Sequence, residues 1–142
     1  MREVAGEVFS AYGDYRPLLP KWFNVPGVMT FICEDDRATT GYVMVGFFRE
    51  KEHLVGDVLA IAVVPELQNR GIGRMLLEHA VLVCEQTSEH SPVRAIRLSV
   101  AHTNVRARHL FESCGFALVE GDFGTYEGGQ TALHMERPIP LP

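Results

Sequence analysis

The sequence is short of cysteine and of long apolar runs, and each shortage excludes a class of protein. Its three cysteines, Cys33, Cys84 and Cys114, are odd in number and lie in apolar patterns, so we expect reduced core thiols and no disulfide framework. No stretch has eighteen uninterrupted apolar residues, and residues 1–9 lack the pattern of a signal peptide. We therefore expect a cytoplasmic protein that has no membrane partner.

Basic charge is scarce as well. Lys and Arg number 13 and Asp and Glu number 18, so the formal net charge is 13 − 18 = −5, which argues against nucleic acid as a partner. The six histidines and three cysteines show no H-x-x-x-H or C-x-x-C spacing, so we expect no metal site. What is present, 142 residues of which 46% are hydrophobic, fits one globular domain over residues 1–142.

Apolar periodicity predicts that this domain is α+β. Strands are predicted at residues 28–34, 40–49, 56–64, 94–101, 116–120 and 130–136. Helices are predicted at residues 4–12, at residues 71–87 and after Asn104, with residues 17–23 as a short helix or an irregular apolar lid. The charged tract 49–53 is expected to be a solvated turn. The tail from Pro138 is expected to leave the sheet, because proline cannot continue one.

The stretch 63–74 combines the end of an apolar strand, a polar turn and the start of a helix at Gly71 and Gly73. First-turn N–H groups of a helix have no partner inside it, and the helix dipole adds positive charge there. Arg70 and Arg74 flank the spot, so a phosphate or pyrophosphate is the natural ligand. The alternative is a plain strand-to-helix turn. The spacing is neither G-x-G-x-x-G nor a Walker A loop.

Two blocks of sequence carry a more specific signal. I61-A-V-V-P-E-L-Q-N-R-G-I-G-R74 and N104-V-R-A-R-H-L-F-E-S-C-G-F116 resemble the two signature motifs of the GCN5-related N-acetyltransferase (GNAT) superfamily, in the family's order. The resemblance covers roughly residues 28–137. It implies the layered α/β/α acyl-CoA N-acyltransferase fold, with a mixed, splayed sheet of about six strands and about four helices. No strand-like segment precedes the first predicted helix, so the sheet either lacks its first strand or borrows one from a partner, as in a homodimer.

The resemblance also implies acetyl-CoA as co-substrate. By analogy the backbone of Ile61, Ala62 and Val63 would pair with the pantetheine amides. The pyrophosphate would be held by the turn and first helical residues, Asn69, Arg70, Gly71, Ile72, Gly73 and Arg74. Asn104 stands where the family contacts the pantetheine arm near the thiol. It is equally an N-cap, and one residue can do both. Phe111 stands in the same cofactor-binding motif.

Acetyl transfer to an amine needs a proton acceptor, and the thiolate that leaves needs a proton. Asp57 is the candidate base, because many members carry a Glu on this strand; the alternative is a carboxylate at an exposed strand start. The family's acidic Tyr is replaced by Phe111, which has no proton to give. Tyr126 is the candidate substitute. Its loop is similar to one in ribosomal-protein N-terminal acetyltransferases that helps to hold the acceptor, and a loop tyrosine without function is the third alternative.

Acceptor-binding candidates are Trp22, Phe23, Ser99 and Tyr126. Trp22 and Phe23 are read as core packing or as a pocket wall, and Ser99 replaces a Glu of those N-terminal acetyltransferases. The resemblance implies an N-acetyltransferase that acts on a primary amine of a small molecule or peptide by direct attack in a ternary complex. Phe111 and Ser99 keep a non-catalytic acyl-CoA-binding or sensing module as the alternative. A nucleotide-phosphate module unrelated to CoA is a third.

Overall fold

A computed structural model of the chain describes residues 28–34, 39–65 and 71–140. The predicted N-terminal helices and the predicted site residues Trp22, Phe23, Asn69 and Arg70 lie outside the described residues. Whether the sheet lacks a first strand or borrows one in a homodimer also stays a prediction.

Six strands form one mixed sheet in the order β1-β2-β3-β4-β6-β5. Their bounds are β1 Val28–Glu34, β2 Thr39–Glu50, β3 His53–Val63, β4 Val93–Ala101, β5 Ala117–Val119 and β6 Ala132–Pro138. Only β3 and β4 pair in parallel; the other neighbours are antiparallel. The helices of the described residues are α1 Ile72–Ser88 and α2 Val105–Ser113. The predicted mixed sheet of about six strands is confirmed.

Helix α1 connects the parallel strands β3 and β4 and packs against one face of the sheet, which we call the helix face. Its apolar stripe is buried, as the periodicity predicts: Leu76, Leu77, Ala80, Val81, Val83 and Cys84. The helix lies very close to β3, since a Cβ built on Gly56 would stand 2.6 Å from the Cys84 Sγ. Glycine is therefore required at position 56 by packing. The opposite side of the sheet is called the second face.

Strands β3 and β4 pair along only part of their length. Their ladder runs from Leu54 opposite Val93 to Val58 opposite Leu98. These residues, 54–58 and 93–98, form the paired half. Immediately afterwards β2 pairs with Val58 and then with Ala60, so that Leu59 is an extra residue, a β-bulge.

A bulge bends its strand and increases its twist. Beyond it β3 stays with β2 as far as Val63, and β4 stays with β6 as far as Ala101. Residues 59–63 and 99–101 are the split half. The sheet is therefore splayed, as the resemblance implies, and the bulge accounts for the position of the split.

Two local predictions were wrong. Pro138 continues β6 opposite Ala95, and the Ile139 N–H donates to the Arg94 carbonyl oxygen at 2.9 Å. Proline is tolerated here because β5 pairs with β6 no further than Glu136, which leaves Pro138 at an edge position. The tract 49–53 is not all turn, since Glu50 pairs with His53 at the ends of β2 and β3.

All three cysteines, Cys33, Cys84 and Cys114, are free thiols. Within the described ranges, no helix combines the length and the apolar character that crossing a membrane requires.

Candidate functional site

A cleft of about 630 Å³ opens on the helix face beside the split half. One wall is the end of β3, the other is α2, and the first turn of α1 closes one end. The residues that line it are Ile61, Ala62, Val63, Gly71, Gly73, Arg74, Asn104, Arg106, Ala107, His109, Leu110, Phe111 and Ser113. Ligand pockets commonly have about this volume, roughly 300–1,000 Å³. The structure thus brings most of the predicted cofactor residues of the described ranges to one cleft.

The β3 wall of the cleft consists of three largely buried residues, Ile61, Ala62 and Val63. Its ladder with β4 ends at Val58, whereas on the other side the pairing with β2 continues and is closed by the Val64 N–H, which donates to the Thr40 carbonyl oxygen at 2.9 Å. A strand edge that has left its ladder presents backbone groups to an extended ligand. This edge therefore suits a chain of amides that adds to it like a strand.

The α1 end of the cleft contains two glycines with different roles. Gly71 has a left-handed φ of 80°, and a Cβ there would meet nothing within 4 Å. A Cβ on Gly73 would stand 3.1 Å from Leu110 Cδ2, so glycine at this position allows α2 to pack closely against the start of α1. The first helical hydrogen bond runs from the Met75 N–H to the Gly71 carbonyl oxygen. The N–H groups before it point to the helix start, where an anion is favoured.

Arg74 joins the two helices around the cleft. Its guanidinium donates to Ser113 Oγ at 2.6 Å, to the Ser113 carbonyl oxygen at 3.4 Å and to Cys114 Sγ at 3.6 Å. The side chain thus ties the first turn of α1 to the end of α2 while it lines the cleft. Its role as a phosphate ligand stays a prediction.

Arg106 and His109 are cleft residues that sequence reasoning missed. They are exposed and lie three positions apart on α2, on the side that faces the cleft. Arg108 is turned elsewhere and donates to the His102 carbonyl oxygen at 3.1 Å. The spacing of Arg106 and His109 from Asn104 was the available signal, but only the helix packing shows which arginine meets the cleft.

Asn104 caps α2, because its Oδ1 accepts the Ala107 N–H at 3.1 Å. It also lines the cleft, so the structure is consistent with both roles predicted for it. Phe111 is 3% exposed and packs against Phe116 with ring centroids 6.4 Å apart. It forms an apolar part of the wall and has no proton to donate.

Asp57 lies on the second face, in register with Gly46 on one side and Arg97 on the other. Burial raises the pKa of its carboxyl, and the positive charge of Arg97 partly opposes that rise. The residue is half-buried and lies inside β3, which fits a desolvated carboxylate better than a solvated strand start.

A charged network fastens the strands around Asp57. Arg94 bonds Glu136 at 2.8 Å and Glu50 at 3.0 Å, and Arg97 bonds the same two carboxylates at 3.0 and 3.5 Å. Burial acts to raise the pKa of Glu136, but its bonds to Arg94 and Arg97 and their charges outweigh burial, and the pKa is lowered. The network links β2, β4 and β6 across the second face. No sequence pattern indicates this network, since its partners lie about forty residues apart.

The predicted acceptor residues Ser99 and Tyr126 meet on the second face. Their hydroxyl oxygens are 2.6 Å apart. The Tyr126 N–H donates to the Gln130 carbonyl oxygen, and the Gly129 N–H donates to that of Tyr126, each at 2.9 Å. Burial raises the pKa of Tyr126, with an opposing effect of the Ser99 bond, so the phenol keeps its proton at neutral pH. Ser99 is also the first residue of β4 beyond the paired half.

Tyr42 is a further phenol that sequence reasoning did not single out. It is fully buried in β2 opposite Ala62, and its hydroxyl has no hydrogen-bond partner among the described residues. Burial raises its pKa. No group of three or more His, Cys, Asp or Glu side chains in the described ranges is arranged to hold a metal ion.

Comparison with known proteins identifies a family. The profile described as the acetyltransferase (GNAT) family matches residues 2–116. An N-alpha-acetyltransferase of Saccharolobus solfataricus is 31% identical over 121 residues, which cover 80% of this chain and 71% of the relative. A mycothiol acetyltransferase of Propionibacterium freudenreichii is 29% identical over 116 residues, 81% of this chain. The chain spans only 35% of that relative's length.

Solved structures share the fold. The ribosomal-protein-S18-alanine N-acetyltransferase of Escherichia coli superposes with a TM-score of 0.78 at 21% identity, over 99% of this chain and 86% of its own. A putative streptothricin acetyltransferase of Bacillus anthracis, solved in complex with acetyl coenzyme A, has a TM-score of 0.68 at 19% identity, over 84% of this chain and 66% of its own.

Proposed function

Because the chain belongs to the GNAT family of acetyltransferases, we propose that it transfers an acetyl group from acetyl-CoA to a primary amine in a ternary complex. The observation that carries the proposal is the split half: β3 leaves its ladder with β4 after Val58, and the end of β3 then lines one cleft together with the first turn of α1. An amide edge beside a helix start suits a ligand that has amides at one end and phosphates at the other. Acetyl-CoA is such a ligand.

In this proposal the pantetheine arm lies along Ile61, Ala62 and Val63 and reaches Asn104. The pyrophosphate lies at residues 69–74, against the N–H groups that follow Gly71. Arg74 belongs to this pyrophosphate site, whereas Arg106 and the imidazole of His109 on the cleft rim would meet the third phosphate of CoA, which lies outside the pyrophosphate. Their place on the cleft supports this assignment, because an Arg beside a phosphate forms charge-assisted hydrogen bonds.

The reaction would take place where the split half opens toward the second face. The amine attacks the thioester carbonyl carbon, the carbon–sulfur bond breaks, and a β3 backbone amide stabilises the developing oxyanion. Asp57 is one candidate for accepting the amine proton, and Tyr126 contributes a protonated phenol to the acceptor side. The relatives carry names as different as mycothiol acetyltransferase and N-alpha-acetyltransferase, and Ser99 lacks the charge of a Glu; we therefore leave the acceptor as a small-molecule or peptide amine.

The test combines calorimetry with acetyl-CoA and an assay of CoA thiol release. The acceptor panel contains tripeptides with free α-amino groups, spermidine and glucosamine. We expect saturable acetyl-CoA binding and thiol release with at least one acceptor. Binding without product from any acceptor would instead support the second candidate, a non-catalytic acyl-CoA sensor, which Phe111 favours because it cannot protonate a thiolate.

The donor site has its own matched pair of variants. The double variant Arg106→Ala, His109→Ala should weaken acetyl-CoA binding about tenfold or more, the equivalent of about 1.4 kcal/mol. It should leave the binding of acetyl-pantetheine, which has no phosphate, unchanged. Arg108→Ala is the control, because this side chain faces the His102 carbonyl oxygen. Equal losses in the double variant and the control would contradict the phosphate assignment.

A further inference from the structure

His134 lies beside the predicted acceptor residues, Ser99 and Tyr126, and the acetyl transfer proposed above does not use it. It pairs in register with Ser99 across β4 and β6, so the two side chains stand next to each other on the second face. Ser99 in turn meets the Tyr126 hydroxyl at 2.6 Å. An imidazole, a hydroxyl and a phenol are thus brought together from β6, β4 and the loop after β5.

The imidazole ring is held in place. Phe123 stacks on it with ring centroids 3.7 Å apart and an interplanar angle of 15°. The ring is half-buried, so one side is covered and part of it remains accessible. Among the described residues, neither ring nitrogen of His134 has a hydrogen-bond partner, and Phe123 contacts only the face of the ring. A fixed imidazole with an available nitrogen is suited to proton transfer.

The position relative to the cleft supports the same role. The β3–β4 ladder ends at Leu98, so Ser99 is the first residue of β4 at the split, and His134 lies next to it. A thioester that reaches the split from the cleft would meet an amine held at Ser99 and Tyr126. We propose that His134 takes the proton from this acceptor amine, while Ser99 and Tyr126 hold the amine beside it. The inference rests on the acetyl transfer proposed above.

The protons and electrons of the step balance as follows. The ammonium form of the acceptor gives one proton to the His134 imidazole, and the freed lone pair forms the carbon–nitrogen bond at the thioester carbonyl. The carbon–sulfur bond breaks with its electrons on sulfur. The second nitrogen proton ends on that thiolate, which gives the amide and the CoA thiol. The imidazolium returns its proton to solvent.

The electrostatic surroundings favour a neutral imidazole before the reaction. Burial lowers the pKa of His134, and the charge of Arg97 lowers it further, while Glu136 opposes them. The described groups that face the ring are Arg97 from β4, Glu136 from β6, Phe123 and Tyr126 from the loop, and the apolar Val119 from β5. The base form is therefore present at neutral pH, ready to accept a proton.

Asp57 is the rival base, since burial moves the pKa of its carboxyl upward. The pH profile of kcat/KM, measured with acetyl-CoA and the best acceptor of the panel, separates the two. We expect His134→Gln to lower kcat/KM at pH 7 by about 10²-fold or more and to abolish the acid limb, with acetyl-CoA affinity unchanged. Asp57→Asn should keep the acid limb. His90→Gln, an exposed histidine after α1, is the control and should match the wild type.

A second variant keeps the test valid if His134→Gln fails to fold. Phe123→Leu removes the ring that covers the imidazole, so the pKa of His134 should rise toward its ordinary value. The neutral form is then lost at a higher pH, and the acid limb should move to higher pH. An unchanged limb in either His134→Gln or Phe123→Leu, or its loss in Asp57→Asn alone, would overturn the proposal. Absence of turnover in the wild type would instead refute the proposed function.

Discussion

The paired half and the split half are formed by the same two strands, β3 and β4, and they differ in what holds them. In the paired half a parallel ladder joins the strands from Leu54 to Val58. The helix face there is packed so closely that only glycine fits at position 56. On the second face, salt bridges of Arg94 and Arg97 tie β4 to β2 and β6. Three independent kinds of contact therefore fix this half.

In the split half β3 and β4 no longer pair with each other. The bulge at Leu59 turns β3 away, and the space between the strands becomes the cleft on one face and the Ser99–Tyr126 group on the other. Backbone groups that leave a ladder cost free energy unless they find other partners. The cleft thus lies beside the part of β3 and β4 that no longer pairs, whereas the paired half holds the same two strands together.

The largest effect should follow from disturbing the paired half. Gly56→Ala places a Cβ 2.6 Å from the buried Cys84 Sγ, so β3 or α1 must shift. Overpacking of this kind costs about 1–3 kcal/mol, and we expect that loss in the free energy of unfolding measured with urea. The acetyl-CoA affinity of the folded protein should change little, because the cleft lies beyond the paired half.

The control for Gly56→Ala is the double variant with Cys84→Ala. Removing the sulfur makes room for the new methyl group, so the two substitutions should not add. We expect the second substitution to cost less in the Gly56→Ala background than in the wild type. Fully additive losses, or a Gly56→Ala protein as stable as the wild type, would contradict the packing described for this half.

The features of this comparison that are local in sequence were predictable. The structure confirms three such features: the strand at residues 28–34, the buried apolar stripe of α1 and the Asn104 cap. Each depends on neighbours within a few positions. The mixed, splayed sheet was predicted from the resemblance of two sequence blocks to the family's signature motifs. The cofactor residues were predicted from the same motifs; most of those in the described ranges line one cleft, and their binding role stays a prediction.

The remaining features depend on which strands become neighbours, which the sequence does not state. Glu50 was assigned to a solvated turn, but the register of β2 carries it to Arg94, forty-four positions away. His134 had no distinguishing pattern, because its stacking on Phe123 and its pairing with Ser99 arise only when β6 joins β4. The bulge at Leu59 could not be predicted from the residue type, because leucine is common in regular strands.

An effect of intermediate size is expected for Asn104, which follows the end of β4 and lines the cleft. Asn104→Ala removes the acceptor of the Ala107 N–H and should lower the free energy of unfolding by about 1 kcal/mol. Asn104→Asp keeps a capping oxygen but loses the amide donor. If Asn104 also contacts pantetheine, both variants should bind acetyl-CoA more weakly, including Asn104→Asp, in which the cap is kept. Full acetyl-CoA affinity in Asn104→Asp would contradict a contact between this amide and pantetheine.

The smallest changes in the free energy of unfolding are expected when either of two phenols, Tyr126 beside the split half or Tyr42 in β2, is replaced by phenylalanine. The Tyr126 hydroxyl is bonded to Ser99, so Tyr126→Phe should lower the free energy of unfolding by about 1 kcal/mol or less. The Tyr42 hydroxyl is buried without a partner among the described residues, so Tyr42→Phe should leave stability unchanged or raise it by up to about 1 kcal/mol.

The two Tyr→Phe changes remove the same atom, so their difference in urea-unfolding free energy reports the surroundings of each hydroxyl. Only Tyr126→Phe should also raise the KM for the acceptor amine. A Tyr42→Phe protein that is less stable than Tyr126→Phe would mean that the Tyr42 hydroxyl is satisfied in solution.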